Sequence, residues 1–168
     1  SRGAFGAIKS PRGAPTPVIV AGWGSATEPV EIVRVDPTAR TRTRLTDFGV
    51  AAAAALDWNP LDEFWFTNGR GRRVHSFVVR PPGFDPSRKY PLVVLIHGGH
   101  ASMWRDSITL RWNYHLLASP GYVVLLTDYR GSTGYGEAFT LDILGDPLRG
   151  PADDVNQAAD EAIRRYSF

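Results

Sequence analysis

Two continuous apolar runs limit the folds open to this 168-residue chain more than any other feature. Residues 91–96 and 122–126 are apolar at nearly every position, instead of alternating between polar and apolar side chains. Strands with that pattern are buried on both faces, which is typical of parallel sheets. Residues 107–118 lie between the runs and carry apolar side chains at roughly helical spacing. The sequence therefore predicts one β-α-β unit.

Shorter runs in the first quarter of the chain have the spacing of partly exposed strands, and they predict an antiparallel meander. These runs are residues 18–21, 31–35 and 41–45. Residues 1–16 are rich in Gly, Ala and Pro and show no hydrophobic period, so we predict an irregular entry segment. Residues 47–61 are predicted to be a linker with a short helix, because they contain the alanine run 51–55.

A second sheet is predicted to begin after the linker. Strand-like runs at 63–67 and 74–79 flank Asn68-Gly69, and Asn-Gly between two such runs is typical of a hairpin turn. The densest basic cluster of the chain, residues 70–73, lies in this turn. We therefore interpret the cluster as a solvated turn rather than a phosphate site.

The last predicted element is a helix that opens at Pro151 and continues to Tyr166. Proline in the first turn and acidic residues at the positive end of the helix dipole are typical of a helix start. We therefore assign Asp153 and Asp154 to this start rather than to a pair of glycosidase carboxylates. The predicted apolar stripe consists of Val155, Ala158, Ala159, Ala162 and Ile163.

The string with the clearest chemical implication is His97-Gly98-Gly99-His100, directly after the first apolar run. Backbone N–H groups stabilise the negative oxygen of an acyl-transfer intermediate, and glycine lets the main chain approach it closely. A His-Gly-Gly turn at the end of the third strand is where α/β-hydrolases place one such donor. The pattern predicts an oxyanion donor at Gly99 or His100, and the alternative is a tight turn without a catalytic role.

A glycine-punctuated loop at 127–136 follows the second apolar run. It lacks the Gly-Lys-Ser/Thr ending of a phosphate-binding loop and the glycine spacing of a dinucleotide site. Ser132 is not predicted to be a nucleophile, because Arg130 occupies the place of the first glycine in Gly-x-Ser-x-Gly. We interpret the loop as structural, with Asp128 and Arg130 holding it through ion pairs or backbone hydrogen bonds.

The sequence contains no Gly-x-Ser-x-Gly motif, and no histidine lies where the base of a triad is expected. We therefore expect none of the catalytic Ser, Asp and His in this chain, which alone is predicted to be inactive. We assign no metal and no cofactor, because the histidines show no ligand pattern. They are His75, His97, His100 and His115.

The composition of the chain limits the classes of partner that we expect it to bind. The net charge is +2 and the arginines are spread along the chain, so we expect no nucleic-acid binding. No apolar run reaches the roughly 18 residues of a membrane span, and we expect no membrane partner. The chain has no cysteine, which excludes an internal disulfide but does not discriminate between cytoplasm and a periplasmic or secreted location.

Several strings resemble the prolyl oligopeptidase family of serine peptidases, and more narrowly its bacterial dipeptidyl-peptidase and acylaminoacyl-peptidase branch. They lie at 63–66, 81–85, 90–99 and 128–136, with further similarity at 25–33 and 145–154. The resemblance extends from about residue 18 to the end. One departure is His100, which stands where many relatives have proline, and we expect a surface or supporting role for its side chain.

The resemblance implies an α/β chain: a partial α/β-hydrolase sheet with two or three helices, preceded by the last antiparallel strands of a β-propeller. The implied domains are the propeller's last blade at 1–46, a linker at 47–61, and the amino-terminal part of the hydrolase domain at 62–168, truncated before the nucleophile elbow. The implied activity of the parent is that of a serine exopeptidase or oligopeptidase, which hydrolyses short peptides through an acyl-enzyme.

We expect a short peptide as the substrate of the parent enzyme. A parallel sheet without its central strand exposes an apolar edge, so we also expect self-association or a complementing carboxy-terminal chain. Two alternatives remain open at this point. One is a non-catalytic binding or assembly module of hydrolase descent, and the other is an esterase of the same fold, since His-Gly-Gly turns also occur in esterases.

Overall fold

A computed structural model describes residues 2–13, 18–99 and 101–168. The chain divides into two compact units. The first contains Ser1–Pro60 and Arg105–Asn113, and the second contains Leu61–Trp104 and Tyr114–Phe168. No helix among the described residues is both long and apolar enough to cross a membrane.

The first unit is built on an antiparallel sheet whose four strands are paired in chain order. The strands are β1 (Ala4–Lys9), β2 (Ile19–Gly24), β3 (Glu31–Asp36) and β4 (Thr41–Arg44), and the short helix α1 (Val50–Ala54) follows. Strands β2 to β4 confirm the predicted meander. The buried side chains of the sheet are Ala21, Trp23 and Val33, with Val35 packed against them.

Strand β1 corrects the prediction that residues 1–16 are irregular. It pairs with β2 from Ala4 opposite Gly24 to Lys9 opposite Val20, with an irregularity between Gly6 and Lys9. Its side chains are almost all exposed, which explains the missing hydrophobic period. The strand is held by backbone pairing with its neighbour, a contribution that the side-chain pattern does not report.

The second unit contains a mixed sheet in the order β5-β6-β8-β7, in which only β7 and β8 are parallel. Its elements are β5 (Asp62–Thr67), β6 (Arg73–Val79), β7 (Leu92–Leu95), α2 (Tyr114–Ala118), β8 (Val123–Asp128), α3 (Glu137–Leu141) and α4 (Arg149–Arg165). The hairpin between β5 and β6 is confirmed. The Asn68 side-chain oxygen accepts hydrogen bonds from the Arg70 and Arg72 amides in its turn.

The two apolar runs form the predicted parallel pair, but they are buried to different extents. Every residue of β8 is buried, as predicted. Strand β7 is only partly buried, and Ile96 beyond its end is 62% exposed. The prediction of burial on both faces was wrong for this strand, because within the described residues β7 pairs with a neighbour on one side alone.

The helix predicted at 107–118 is confirmed only for its last turn and a half, α2. Trp112 has a φ of +55°, which an α-helix does not accommodate. Before it, the Asp106 carboxylate accepts hydrogen bonds from the amides of Gly3 and Ala26, so this segment is fixed by contacts within the first unit. Tertiary contacts here override the apolar spacing, and Leu110 is fully exposed.

Helix α4 confirms the prediction at the end of the chain, although it begins two residues before Pro151. Ala158 and Ala162 pack into the core, whereas Ile163 is exposed and does not belong to the stripe. The reason is helical geometry, since Ile163 is rotated by about 100° from Ala162. The core members are Phe64, Phe66, Val74, Val78, Val123, Leu125, Phe139, Ala158, Ala162 and Phe168.

Candidate active site

The parallel pair β7–β8 places two loops side by side. Leu95 is opposite Leu126, so the segments that leave both strands emerge at the same edge of the sheet. The first segment is the turn that begins at His97, and the second begins at Tyr129. Carboxyl ends of parallel strands are where α/β proteins place ligand sites, and this edge is therefore the candidate active site.

The glycine turn is open on the side where a Cβ atom would stand. A Cβ added at Gly98 or Gly99 would have no heavy atom within 4 Å. Gly99 has a φ of +70°, a region that residues with a Cβ adopt at a cost. The backbone conformation thus favours glycine at Gly99, and the space beside it is free for another group.

His97 connects the turn to the neighbouring loop. Its ring stacks on Tyr129, with centroids 4.4 Å apart, and its Nε2 lies 2.8 Å from Ser132 Oγ. The Ser132 hydroxyl donates to the Tyr129 carbonyl at 2.6 Å, so we assign Nε2–H as the donor to Ser132. Burial lowers the pKa of His97, although the charge of Asp128 opposes this, and the neutral ring fits the assignment.

Ser132 and His97 do not form a nucleophile and base. Ser132 is fully buried, and its proton is already donated to the Tyr129 carbonyl. The nearest carboxylate, Asp128, lies 3.9 Å from the same imidazole nitrogen that contacts Ser132, whereas a triad needs the acid at the other nitrogen. The structure therefore agrees with the sequence, which excluded Ser132 as the nucleophile.

Asp128 is the centre of a second network, and both its carboxylate oxygens are used. It accepts the Trp104 amide at 2.8 Å on one oxygen, and the Tyr135 hydroxyl at 2.5 Å on the other, where His75 Nδ1 lies at 3.2 Å. Burial raises the pKa of Tyr135, with the charge of Asp128 adding to the effect. The sequence predicted a holding role for Asp128, but it gave no sign of His75, which lies on another strand.

Arg130 forms the predicted ion pair, and its partner is Asp154 in α4. The Asp154 carboxylate accepts the Arg130 Nε at 2.9 Å, its terminal nitrogen at 2.6 Å and its backbone amide at 2.9 Å. Asn68 donates a fourth hydrogen bond at 2.6 Å. Both charged side chains are buried. The assignment of Asp153 and Asp154 to the helix start was wrong, because α4 begins at Arg149 and its first turn contains no acidic residue.

An apolar groove lies beside the glycine turn. Its volume is about 550 Å³, and Gly99 and Tyr129 contribute to its wall. The remaining lining residues are mostly apolar: Ile96, Ile143, Leu144, Gly145, Pro147, Leu148, Pro151, Ala152 and Val155. The turn therefore borders a space that is large enough for an apolar segment or side chain.

Of the two predicted donors, the described residues include Gly99 but not His100, so the prediction for His100 lies outside them. The turn continues at Ala101, whose amide donates to the Gly131 carbonyl at 2.8 Å. Ser102 accepts from the Thr133 amide at 2.9 Å. These backbone bonds hold the segment after the turn to the loop 129–136.

Comparison with known proteins finds similarity to one family of peptidases. Residues 108–168 match the sequence model of the prolyl oligopeptidase family. The chain is 45% identical over 107 residues to dipeptidyl-peptidase 5 of Schizosaccharomyces pombe, a match that covers 64% of this chain and 16% of that protein. The chain thus spans about a sixth of this relative's length.

Solved structures of other peptidases are similar to this chain in fold. An acylaminoacyl peptidase of Pyrococcus horikoshii matches 98% of this chain with a TM-score of 0.83 at 22% identity, over 25% of its own length. Dipeptidyl peptidase 4 of Porphyromonas gingivalis matches 96% with a TM-score of 0.69 at 25% identity, over 23% of its length. These enzymes combine a propeller with an α/β-hydrolase, and the two sheets found here are consistent with part of that fold. The sequence matches confirm the resemblance in the motifs: the chain is similar to the prolyl oligopeptidase family.

Proposed function

We propose that this chain supplies the oxyanion turn of a serine peptidase that hydrolyses short peptides through an acyl-enzyme. The amide of Gly99 is the proposed donor, together with that of His100. The observation that carries the proposal is the open glycine turn, which follows a parallel strand and borders an apolar groove. A carbonyl oxygen can approach the main chain there without meeting a Cβ atom.

The two units have separate places in this proposal. The four-stranded sheet β1–β4 has the strand number of a propeller blade, and we assign residues 1–46 to the last blade and 47–61 to the linker. Residues 62–168 are assigned to the amino-terminal part of the hydrolase domain. The triad residues of the active enzyme come, in this proposal, from outside the 168 residues.

The proposed origin of the triad outside these residues gives the first test. The purified chain is expected to show no turnover of dipeptidyl or acylaminoacyl substrates, and no covalent labelling by a fluorophosphonate. A longer protein that contains this segment and a Gly-x-Ser-x-Gly motif is expected to be labelled and to turn over such peptides. Labelling of the 168-residue chain that Ser132→Ala abolishes would contradict the proposal, and so would a longer protein without peptidase activity.

We further propose that the free side of β7 associates with a second copy or with a complementing carboxy-terminal chain. The support is the partial burial of β7 at the end of the described sheet and the exposed Ile96 next to it. Light scattering is expected to show a concentration-dependent oligomer that Ile96→Lys weakens. Leu110→Lys is the control, because this equally apolar side chain is exposed in the other unit. A stable monomer would contradict self-association.

A further inference from the structure

We propose that Tyr129 is a positioning residue, which sets the direction in which the amides of the oxyanion turn point. The inference rests on the proposed function, because it assigns a role to a side chain next to the proposed oxyanion donor. The site as predicted from sequence contained Gly99 and His100 and gave Tyr129 no part.

The contacts of the Tyr129 hydroxyl are all with the turn. It donates to the His97 carbonyl at 2.6 Å, and the Gly99 carbonyl lies at 3.4 Å. The Tyr129 side chain is buried, and its ring is fixed by stacking on the His97 imidazole with the planes 20° apart. Burial raises the pKa of Tyr129, so the hydroxyl keeps its proton and remains a donor at neutral pH.

The planar geometry of the peptide bond relates these contacts to the direction in which the N–H groups of the turn point. In a trans peptide the C=O and the following N–H point to opposite sides of the chain. When the His97 carbonyl faces Tyr129, the Gly98 N–H points away from Tyr129. The Gly99 carbonyl belongs to the peptide that follows Gly99, so the two contacts flank the peptide that carries the Gly99 N–H. Gly98 and Gly99 have no side chains to restrict their rotation, so the hydrogen bond from this hydroxyl to the His97 carbonyl, with the Gly99 carbonyl nearby at 3.4 Å, limits how the peptides of the turn rotate.

The rest of the loop does not depend on the hydroxyl. The segment after the turn is held by the Ala101–Gly131 and Ser102–Thr133 backbone bonds, and β7 holds the segment before it. Removal of the hydroxyl is therefore expected to free the orientation of two or three peptide planes while the strands stay in place. This separates a positioning role from a general contribution to stability.

The test compares Tyr129→Phe with Tyr135→Phe, which removes a partly buried tyrosine hydroxyl that binds Asp128 instead of the turn. In amide NMR spectra of the 168-residue chain, Tyr129→Phe is expected to shift or broaden the Gly98 and Gly99 resonances, while β6 and β8 are unchanged. Tyr135→Phe is expected to leave both glycine resonances in place. Unchanged Gly98 and Gly99 resonances in Tyr129→Phe would overturn the proposal.

In a longer, active peptidase that contains this segment, Tyr129→Phe is expected to lower kcat by roughly 10- to 100-fold with little change in KM, since misplaced donors act on the transition state. Altered glycine resonances with an unchanged kcat would also overturn the proposal. If the unsubstituted longer protein lacks activity, the proposed function fails, whereas the NMR result still decides whether Tyr129 orients the turn.

A second variant covers the case in which Tyr129→Phe does not fold. Difluorotyrosine at position 129 keeps the shape of the ring but acidifies the hydroxyl. Its deprotonation at alkaline pH removes the donor and is expected to shift the Gly98 and Gly99 resonances along the same titration. If these resonances do not follow the titration, the proposal is wrong.

Discussion

The two units of the chain differ in how much of their structure is held by buried groups. The second unit has an extended apolar core and, next to it, a fully buried ion pair between Arg130 and Asp154. The core described for the first unit consists of three small to large side chains, and all four residues of its strand β4 are exposed. Because hydrophobic stabilisation follows the apolar area that is buried, we expect the second unit to be the more stable.

Both units nevertheless contain a carboxylate that accepts a hydrogen bond from a backbone amide in a segment after a strand. In the first unit Glu31 accepts the Gly49 amide at 2.6 Å and the Thr46 hydroxyl at 2.5 Å, and the Gly49 hydrogen bond lowers its pKa. In the second unit Asp154 binds a guanidinium as well as an amide. Removal of Glu31 would leave two neutral partners, whereas removal of the Asp154 charge would leave Arg130 charged and buried.

The largest expected effect follows from that difference. Asp154→Asn removes the charge that compensates Arg130, and breaking one side of a buried pair costs about 3–5 kcal/mol of the free energy of unfolding. Urea denaturation, with amide exchange of β8 as the local probe, measures the loss. Asp153→Asn is the control, because its carboxylate is half-exposed and 3.9 Å from Arg149, and it should change little. Equal effects of both variants would show that the pair does not hold the second unit.

The first unit is tested by Trp23→Ala. Trp23 is buried, and the Arg42 guanidinium lies 3.5 Å from its ring centroid, so truncation is expected to cost about 3 kcal/mol. We expect amide protection to be lost in β1–β4 and kept in β5–β8, which hydrogen exchange resolves strand by strand. Phe48→Ala, an exposed aromatic of the same unit, serves as the control. Loss of protection in both sheets would contradict two units of separate stability.

The difference between elements held by buried side chains and elements held by other contacts also explains how much of the fold could be predicted from sequence. The strands β5, β6 and β8 and helix α4 were predicted because their periodicity or turn chemistry reports the burial that forms them. Strand β1 was missed because its side chains are exposed and only its backbone pairs. The helix at 107–118 was overpredicted because its apolar spacing does not report the hydrogen bonds that Asp106 makes with distant amides.

The residues of the candidate site also differ in how far they could be predicted from sequence. Glycines at a strand end can be recognised in one stretch of sequence, because they reflect a local backbone requirement. The network of Asp128 with His75 and Tyr135 joins residues that are 53 and 7 positions away along the chain. The stacking of Tyr129 on His97 depends on the parallel pairing of β7 with β8. No spacing rule of a single sequence reports such contacts.

The smallest expected effect concerns the exposed side of α4, where charge pairs replace burial. Arg164 and Arg165 both bind Glu161, and these hydrogen bonds lower its pKa from 4.5 to about 2. A lowered carboxyl pKa stabilises the folded state above the unfolded value, so this contribution is present above about pH 4.5 and is lost as the pH falls toward 2. Solvent screening limits it to about 0.5 kcal/mol. Glu161→Gln should therefore lower the free energy of unfolding by no more than that at pH 7, and by less at pH 2, where part of the carboxylate is protonated. Asp160→Asn, which removes a neighbouring exposed charge, provides the control in the same urea titrations.

A loss at pH 7 comparable to that of Asp154→Asn would mean that surface charges stabilise the second unit as strongly as its buried ion pair. The difference between buried and exposed groups, on which the comparison of the two units rests, would then not hold.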